Sequence, residues 1–219
     1  MAASTTTGEV SHPCMAEPEV WAGLAGRQSG RRSLEAALTW PRVRMARPLD
    51  FDPIIEARRQ WAAHGWEDSC DGMAAVTSIV RAQQLFLGRI DAVLRPLELT
   101  FARYEVLMLL VFSRQGSLPL NKIGARLQVH PTSVTNAVDR LEQQGLIKRV
   151  PHASDRRTTL AEVLPVGREL ALRATSALNE SVFRRPGIAA DDLRVLFEVL
   201  QRFRCSSGDF STGRAVPGA

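Results

Sequence analysis

The sequence is short of several things that would commit it to a class. Its three cysteines, Cys14, Cys70 and Cys205, lie far apart with no C-x-x-C pair. That gives neither a disulfide framework nor a zinc-ligand spacing, and it fits a reducing compartment. Tyrosine occurs once, and lysine is scarce beside arginine; the latter skew reads as coding bias rather than function. Apolar runs are short. The longest in the central region, Val106–Phe112, falls well below the roughly 18 residues of a membrane span. The N-terminus has no basic stretch leading into an apolar one, so a cytoplasmic protein is expected rather than a secreted one. Enzyme motifs are missing as well: there is no G-x-x-x-x-G-K-[ST], no G-x-G-x-x-G after a strand, no H-E-x-x-H and no G-x-S-x-G. His12, His64, His130 and His152 are scattered. Neither an enzyme, a metal site nor a cofactor is expected.

What is present is globular. Over 219 residues, 45% are hydrophobic and 23% charged, which excludes a fully disordered or low-complexity chain. The length suits one domain of about 100–200 residues with an appendage. Net charge is +5, and its distribution matters more than its size. Residues 101–160 hold nine basic and four acidic side chains, whereas residues 51–100 hold five basic and seven acidic. A surplus confined to one stretch is the footprint of a polyanion binder; the competing reading is a plain basic surface.

Periodicity divides the chain. Residues 1–50 read as a disordered tail, with a short helix around Arg31–Leu38 as its one regular feature. Asp52 and Pro53 form a cap and first-turn pair opening a helix that Gly65 ends. A second helix is predicted from Gly72 to Leu94, its apolar positions including Val76, Ile79, Val80, Ile90 and Leu94. Thr100 caps a strongly apolar third helix, Phe101–Ser113, expected at the centre of the core. Two short amphipathic helices follow. Leu120, Ile123 and Leu127 mark the first, and Val134, Ala137, Val138 and Leu141 the second, which runs Pro131–Gln144. Only Gln128–His130 separates them, and Gly145 supplies a left-handed stop, so the pair reads as a helix-turn-helix. Ile147–Val150 and Arg157–Val163 then read as a hairpin, and Pro165–Arg184 and Ala190–Phe203 as two last helices. The fold class is mainly α with a small β-hairpin.

Chemistry concentrates in the helix-turn-helix and hairpin. Pro131 opens the second helix, and Thr132, Ser133, Thr135 and Asn136 point away from its apolar face. Short hydroxyl and amide side chains there reach base edges or phosphates in a major groove, with the helix dipole favouring phosphate. The alternative is a solvated helix face. Arg140 joins the set from the same helix. In the hairpin loop, Asp155 precedes Arg157 by two residues and can orient its guanidinium toward a narrow minor groove. Arg156, Lys148 and Arg149 are assigned to phosphates.

The run Leu99–Leu107, the segment Leu120–Leu127, the run Pro131–Leu146, and Asp155-Arg-Arg157 with Pro165-Val-Gly167 together resemble the MarR family of bacterial winged helix-turn-helix regulators. The resemblance covers about residues 73–204. It implies a homodimer on double-stranded DNA, a palindromic operator, recognition helices in successive major grooves and wings in the flanking minor grooves. A repressor is the expected role. The organisation it suggests is a tail over 1–50, an added helix over 51–66, a regulator domain over 67–204 and a flexible end over 205–219. Within the regulator domain, 99–163 would be the DNA-binding lobe, and helices at about 72–95 and 165–204 would dimerise. Dimerisation has its own physical ground. Leu170, Leu172, Leu193, Leu196, Phe197 and Leu200 present more apolar surface than one small domain needs.

Family members commonly bind small aromatic or phenolic anions, which implies such an effector here. The added helix resembles that of the urate-responsive branch, where Trp61 matches a ligand-contacting Trp and Glu105 an acid; Trp66 lies close by. Ala137 departs from that branch, which carries Arg there. Packing is the competing role for both tryptophans. Two rival functions stay open: a winged helix kept as a protein-interaction module, and a thiol redox sensor acting through Cys70 or Cys14.

Overall fold

In a computed structural model of the chain, the structure describes residues 48–152 and 157–211. The expected tail helix at 31–38, and Asp155 and Arg156 of the hairpin loop, lie outside the described residues. The chain divides into two units, one spanning Leu38–Gly187 and the other including Ile188–Gly218.

In the first unit, helix α1 covers Pro53–Ala63. Its capping residue is the one the sequence indicates: the Asp52 carboxylate accepts from the N–H groups of Ile54 at 2.8 Å and Ile55 at 3.4 Å. Glu56 accepts from Arg59 and Gln60, and these bonds lower its carboxyl pKa to about 2. Helix α2, Cys70–Leu94, begins two residues before the predicted Gly72, because a 3-10 turn at Glu67–Ser69 feeds straight into it. Packing of α1 on α2 is joined by an Arg58–Asp71 ion pair at 2.6 Å.

A 3-10 turn at Arg95–Leu97 carries Pro96 and ends α2. Helix α3, Phe101–Phe112, is capped by Thr100, whose hydroxyl accepts from the Arg103 N–H at 3.4 Å. It is the central core helix, burying Tyr104, Val106, Leu107, Met108 and Leu110. Strand β1, Ser117–Pro119, leads into helices α4, Leu120–Leu127, and α5, Pro131–Gln143. Strands β2, Ile147–Pro151, and β3, Thr159–Val163, follow.

The sheet has three antiparallel strands in the order β1-β3-β2. The hairpin is therefore only part of it, since β1 pairs Leu118 with Ala161. Helix α6, Pro165–Leu178, continues as a π-helical stretch, Asn179–Phe183. It lies along α3, where Tyr104 and Thr175 share a hydroxyl hydrogen bond of 3.0 Å. Gly167 is obligatory there: a Cβ on it would sit 2.0 Å from the Leu146 carbonyl oxygen.

Helix α2 has the apolar periodicity expected of it, yet among the described residues its buried side chains lie only at its two ends. Cys70, Ile90 and Leu94 are buried, whereas Val76, Ile79 and Val80 are exposed. The second unit contributes α7, Ala190–Ser206. Asp191 and Asp192 begin it and Arg204 lies in its last turn, each sign complementing the helix dipole. None of its residues is buried, and Val195, Phe197 and Phe203 are all more than half exposed. Among the described residues, no helix is long and apolar enough to cross a membrane, and no cluster of His, Cys, Asp or Glu could hold a metal ion.

Candidate nucleic-acid interface

The site is built on a rigid elbow. Helix α4 buries Ile123 and Gly124, and α5 buries Val134, Val138 and Leu141. Gly124 allows the two axes to approach: a Cβ there would meet Val134 Cγ2 at 3.3 Å and the Val129 carbonyl oxygen at 3.5 Å. The turn between them begins with Gln128 in the left-handed region, at φ 55°, an uncommon conformation for a residue with a Cβ. The Gln128 and Val129 N–H groups both donate to the Gly124 carbonyl, closing α4.

His130 then caps α5. Its Nδ1 accepts from the Thr132 N–H at 3.2 Å, and Pro131 occupies the first turn, where a missing N–H costs nothing. Sequence reasoning missed this cap because histidine is not among the preferred capping residues. The turn leaves Pro131, Thr132, Ser133, Thr135 and Asn136 exposed on one side of α5. The Thr135 hydroxyl donates back to the Pro131 carbonyl at 3.1 Å. Exposed Arg140 meets Gln143 at 3.1 Å. A cavity of about 500 Å³ lies in the angle of the elbow, between Asn121, Gln128 and Thr135.

The far end of α5 is held from three directions. Gly145, at φ 69°, reverses the chain, and its N–H donates to the Glu142 carbonyl at 2.9 Å. The Leu146 carbonyl accepts from Leu164 N–H at 3.0 Å and is the group that abuts Gly167. On the α3 side, the Arg103 guanidinium donates to Gln144 Oε1, and Gln144 Nε2 donates to the Glu98 carbonyl, both at 3.1 Å. Sequence periodicity gave no sign of these side-chain bridges, which span 41 and 46 residues.

The basic residues of the hairpin are not alike. Lys148 pairs across the strands with Glu162 at 2.9 Å and stays half exposed. Arg149 turns inward to two carboxylates of α5. Its Nη2 donates to Asp139 at 2.5 Å, its Nη1 to Glu142, and its backbone N–H to Glu142 Oε1 at 2.9 Å. Burial disfavours the Arg149 charge, but the hydrogen bonds from Asp139 and Glu142 outweigh it and raise its pKa above the ordinary arginine value. Arg157, just before β3, is exposed.

Of the residues suggested for an effector, the two tryptophans come together. Trp61 and Trp66 meet edge to face, with centroids 5.3 Å apart, and His64 stacks on Trp66 at 5.4 Å. Glu105 stands half-buried on α3, its pKa raised by burial. No described hydrogen bond or ring contact links it to the tryptophans. Buried Cys70 packs at this same corner, its Sγ donating weakly to the carbonyls of Trp66 at 3.5 Å and Arg58 at 3.6 Å.

Comparison with known proteins bears on this geometry. The MarR family model matches residues 99–159, the segment from just before α3 to the start of β3. The chain is 48% identical to Sco5413 of Streptomyces coelicolor, a MarR family transcriptional regulator of known structure. That alignment has a TM-score of 0.60 and covers 64% of this chain and 98% of Sco5413. Sco3205 of the same organism, a MarR family regulator solved in complex with DNA, is 22% identical, with a TM-score of 0.54 over 60% of this chain and 84% of that one; the likeness is one of fold. YhbI of Bacillus subtilis, an HTH-type transcriptional regulator, is 32% identical over 85 residues, which is 39% of this chain and 54% of YhbI. The chain thus spans about half the length of that curated relative. Sequence identity across nearly all of Sco5413, together with the elbow and the three-stranded sheet, shows that the chain belongs to the MarR family of transcriptional regulators.

Proposed function

We propose that the protein is a homodimeric, sequence-specific DNA-binding repressor, reading a palindromic operator and released by a small aromatic or phenolic ligand. One observation carries the DNA-reading part. The exposed side of α5 presents Thr132, Ser133, Thr135 and Asn136 in its first two turns, while its opposite side is locked into the core through Val134, Val138 and Leu141. A rigid helix with short polar side chains at its N-terminal end is what major-groove reading requires. Arg157 stands beyond it on the hairpin, where a guanidinium reaches a minor groove. The positive surplus of residues 101–160 supplies the non-specific attraction to phosphate.

Each unit supports the dimer separately. Helix α2 leaves Val76, Ile79 and Val80 exposed, and α7 leaves Leu196, Phe197 and Val199 so. Apolar helix faces of this extent mark interaction surfaces. A second copy is the occupant that also doubles the reading helix, as twofold symmetry demands of a palindrome. The effector part is supported by the exposed Trp66 ring, which offers a stacking surface.

Footprinting on the promoters beside the protein's own gene, with salt-resolved titrations against promoter and random duplexes, tests the reading. The expected result is a protected two-fold site with an affinity well above that for random DNA. Equal affinity for both duplexes would leave a protein-interaction module instead. Repeating the titration with aromatic acids and with peroxide separates ligand release from thiol chemistry.

A further inference from the structure

Arg149 is a basic residue at the edge of the proposed DNA face, yet its charge is directed into the protein. Its guanidinium bridges Asp139 and Glu142, one helical turn apart on α5, while Glu142 also accepts the Arg149 backbone N–H. Only about a quarter of the side chain, 27%, is exposed, against 50% for neighbouring Lys148. Three hydrogen bonds thus join the first strand of the hairpin to the second half of the reading helix. Charge-assisted bonds to a planar, forked donor fix angle as well as distance. The two carboxylates are otherwise out of place, since unpaired negative charge beside a phosphate backbone weakens binding.

We propose that Arg149 is a positioning residue: it fixes the hairpin to α5 so that helix and wing meet DNA as one rigid body, and it takes no phosphate itself. The proposal rests on the DNA-reading function given above and names the residue that sets its geometry. Lysine cannot replace it, because a single ammonium cannot span both carboxylates as a fork.

The test uses the full chain, a duplex selected by it from a random library, and a random duplex, across a salt series. R149K, which keeps the charge, is expected to bind the selected duplex about ten-fold more weakly with the salt slope unchanged. D139N/E142Q removes two negative charges and should bind random DNA more tightly, yet the selected duplex more weakly. In the free protein, both variants should show faster amide hydrogen exchange in β2. R149K binding the selected duplex as the parent does would overturn the proposal, even with a lowered melting temperature, because that is the mark of a purely stabilising role. A gain in affinity for both duplexes by D139N/E142Q, or unchanged exchange in β2, would overturn it too. A parent chain that selects no preferred duplex instead sinks the DNA-reading function, and the exchange measurement still decides whether Arg149 holds the hairpin to α5.

Discussion

Helices α5 and α7 are both amphipathic, and they end up differently. Val134, Val138 and Leu141 of α5 are buried by the chain's own α3, α4 and β2. On α7 no residue is buried, although Val195, Leu196, Phe197, Val199 and Phe203 lie along it. An apolar stripe therefore does not say what covers it. The first helix is completed inside the fold, and the second carries an exposed apolar face. Stability and assembly should accordingly be separable in this molecule.

The sharpest way to break that contrast is a pair of truncations. Leu107→Ala, at a fully buried position of α3, should lower unfolding free energy by about 2–5 kcal/mol in a denaturant titration. Phe197→Ala on α7 should change it far less, measured at low protein concentration, and should instead shift the oligomeric state read by light scattering. Equal losses of stability would end the distinction. Gly167→Ala comes next. With a Cβ only 2.0 Å from the Leu146 carbonyl, α6 must move, at a cost of roughly 1–3 kcal/mol or more. A denaturation midpoint matching the parent's would show that this contact gives way.

On the surface of the lobe, Arg157→Ala should weaken specific DNA binding by ~1–3 kcal/mol at fixed salt. The smallest effect belongs to Glu105. Burial raises its pKa, so the folded state holds the proton more firmly than the unfolded chain. Its ionisation therefore subtracts stability as pH rises from the ordinary carboxylate value through the raised one. Glu105→Gln should melt like the parent in acid and slightly higher at neutral pH. A variant that is no more stable at neutral pH would place the group in water.

Much of the fold could be read from local pattern. Asp52, Thr100, Pro131 and Gly145 mark helix ends whose chemistry is contained within a few residues, and the 3.6-residue spacing of Val134, Val138 and Leu141 is enough to orient α5. What escaped was non-local or too short. Strand β1 has three residues, fewer than an alternation needs to show, and it exists because β3 offers it an edge. His130 caps α5 through a ring nitrogen whose use as an acceptor depends on the turn before it. In the hairpin, the sequence placed Lys148 and Arg149 together as phosphate ligands, whereas their carboxylate partners divide them, one across the strands and one on α5.

The sequence by itself determined the order of helices, the helix-turn-helix, the concentration of positive charge in residues 101–160 and the family resemblance. These reside in spacing and composition, which survive without knowledge of what packs on what. Tertiary structure decided which apolar faces are covered, which glycine cannot carry a Cβ, and which arginine is bound within the protein. Burial and ion pairing depend on the approach of segments distant along the chain, and the distance between Arg149 and Asp139 exists only once β2 has folded back against α5.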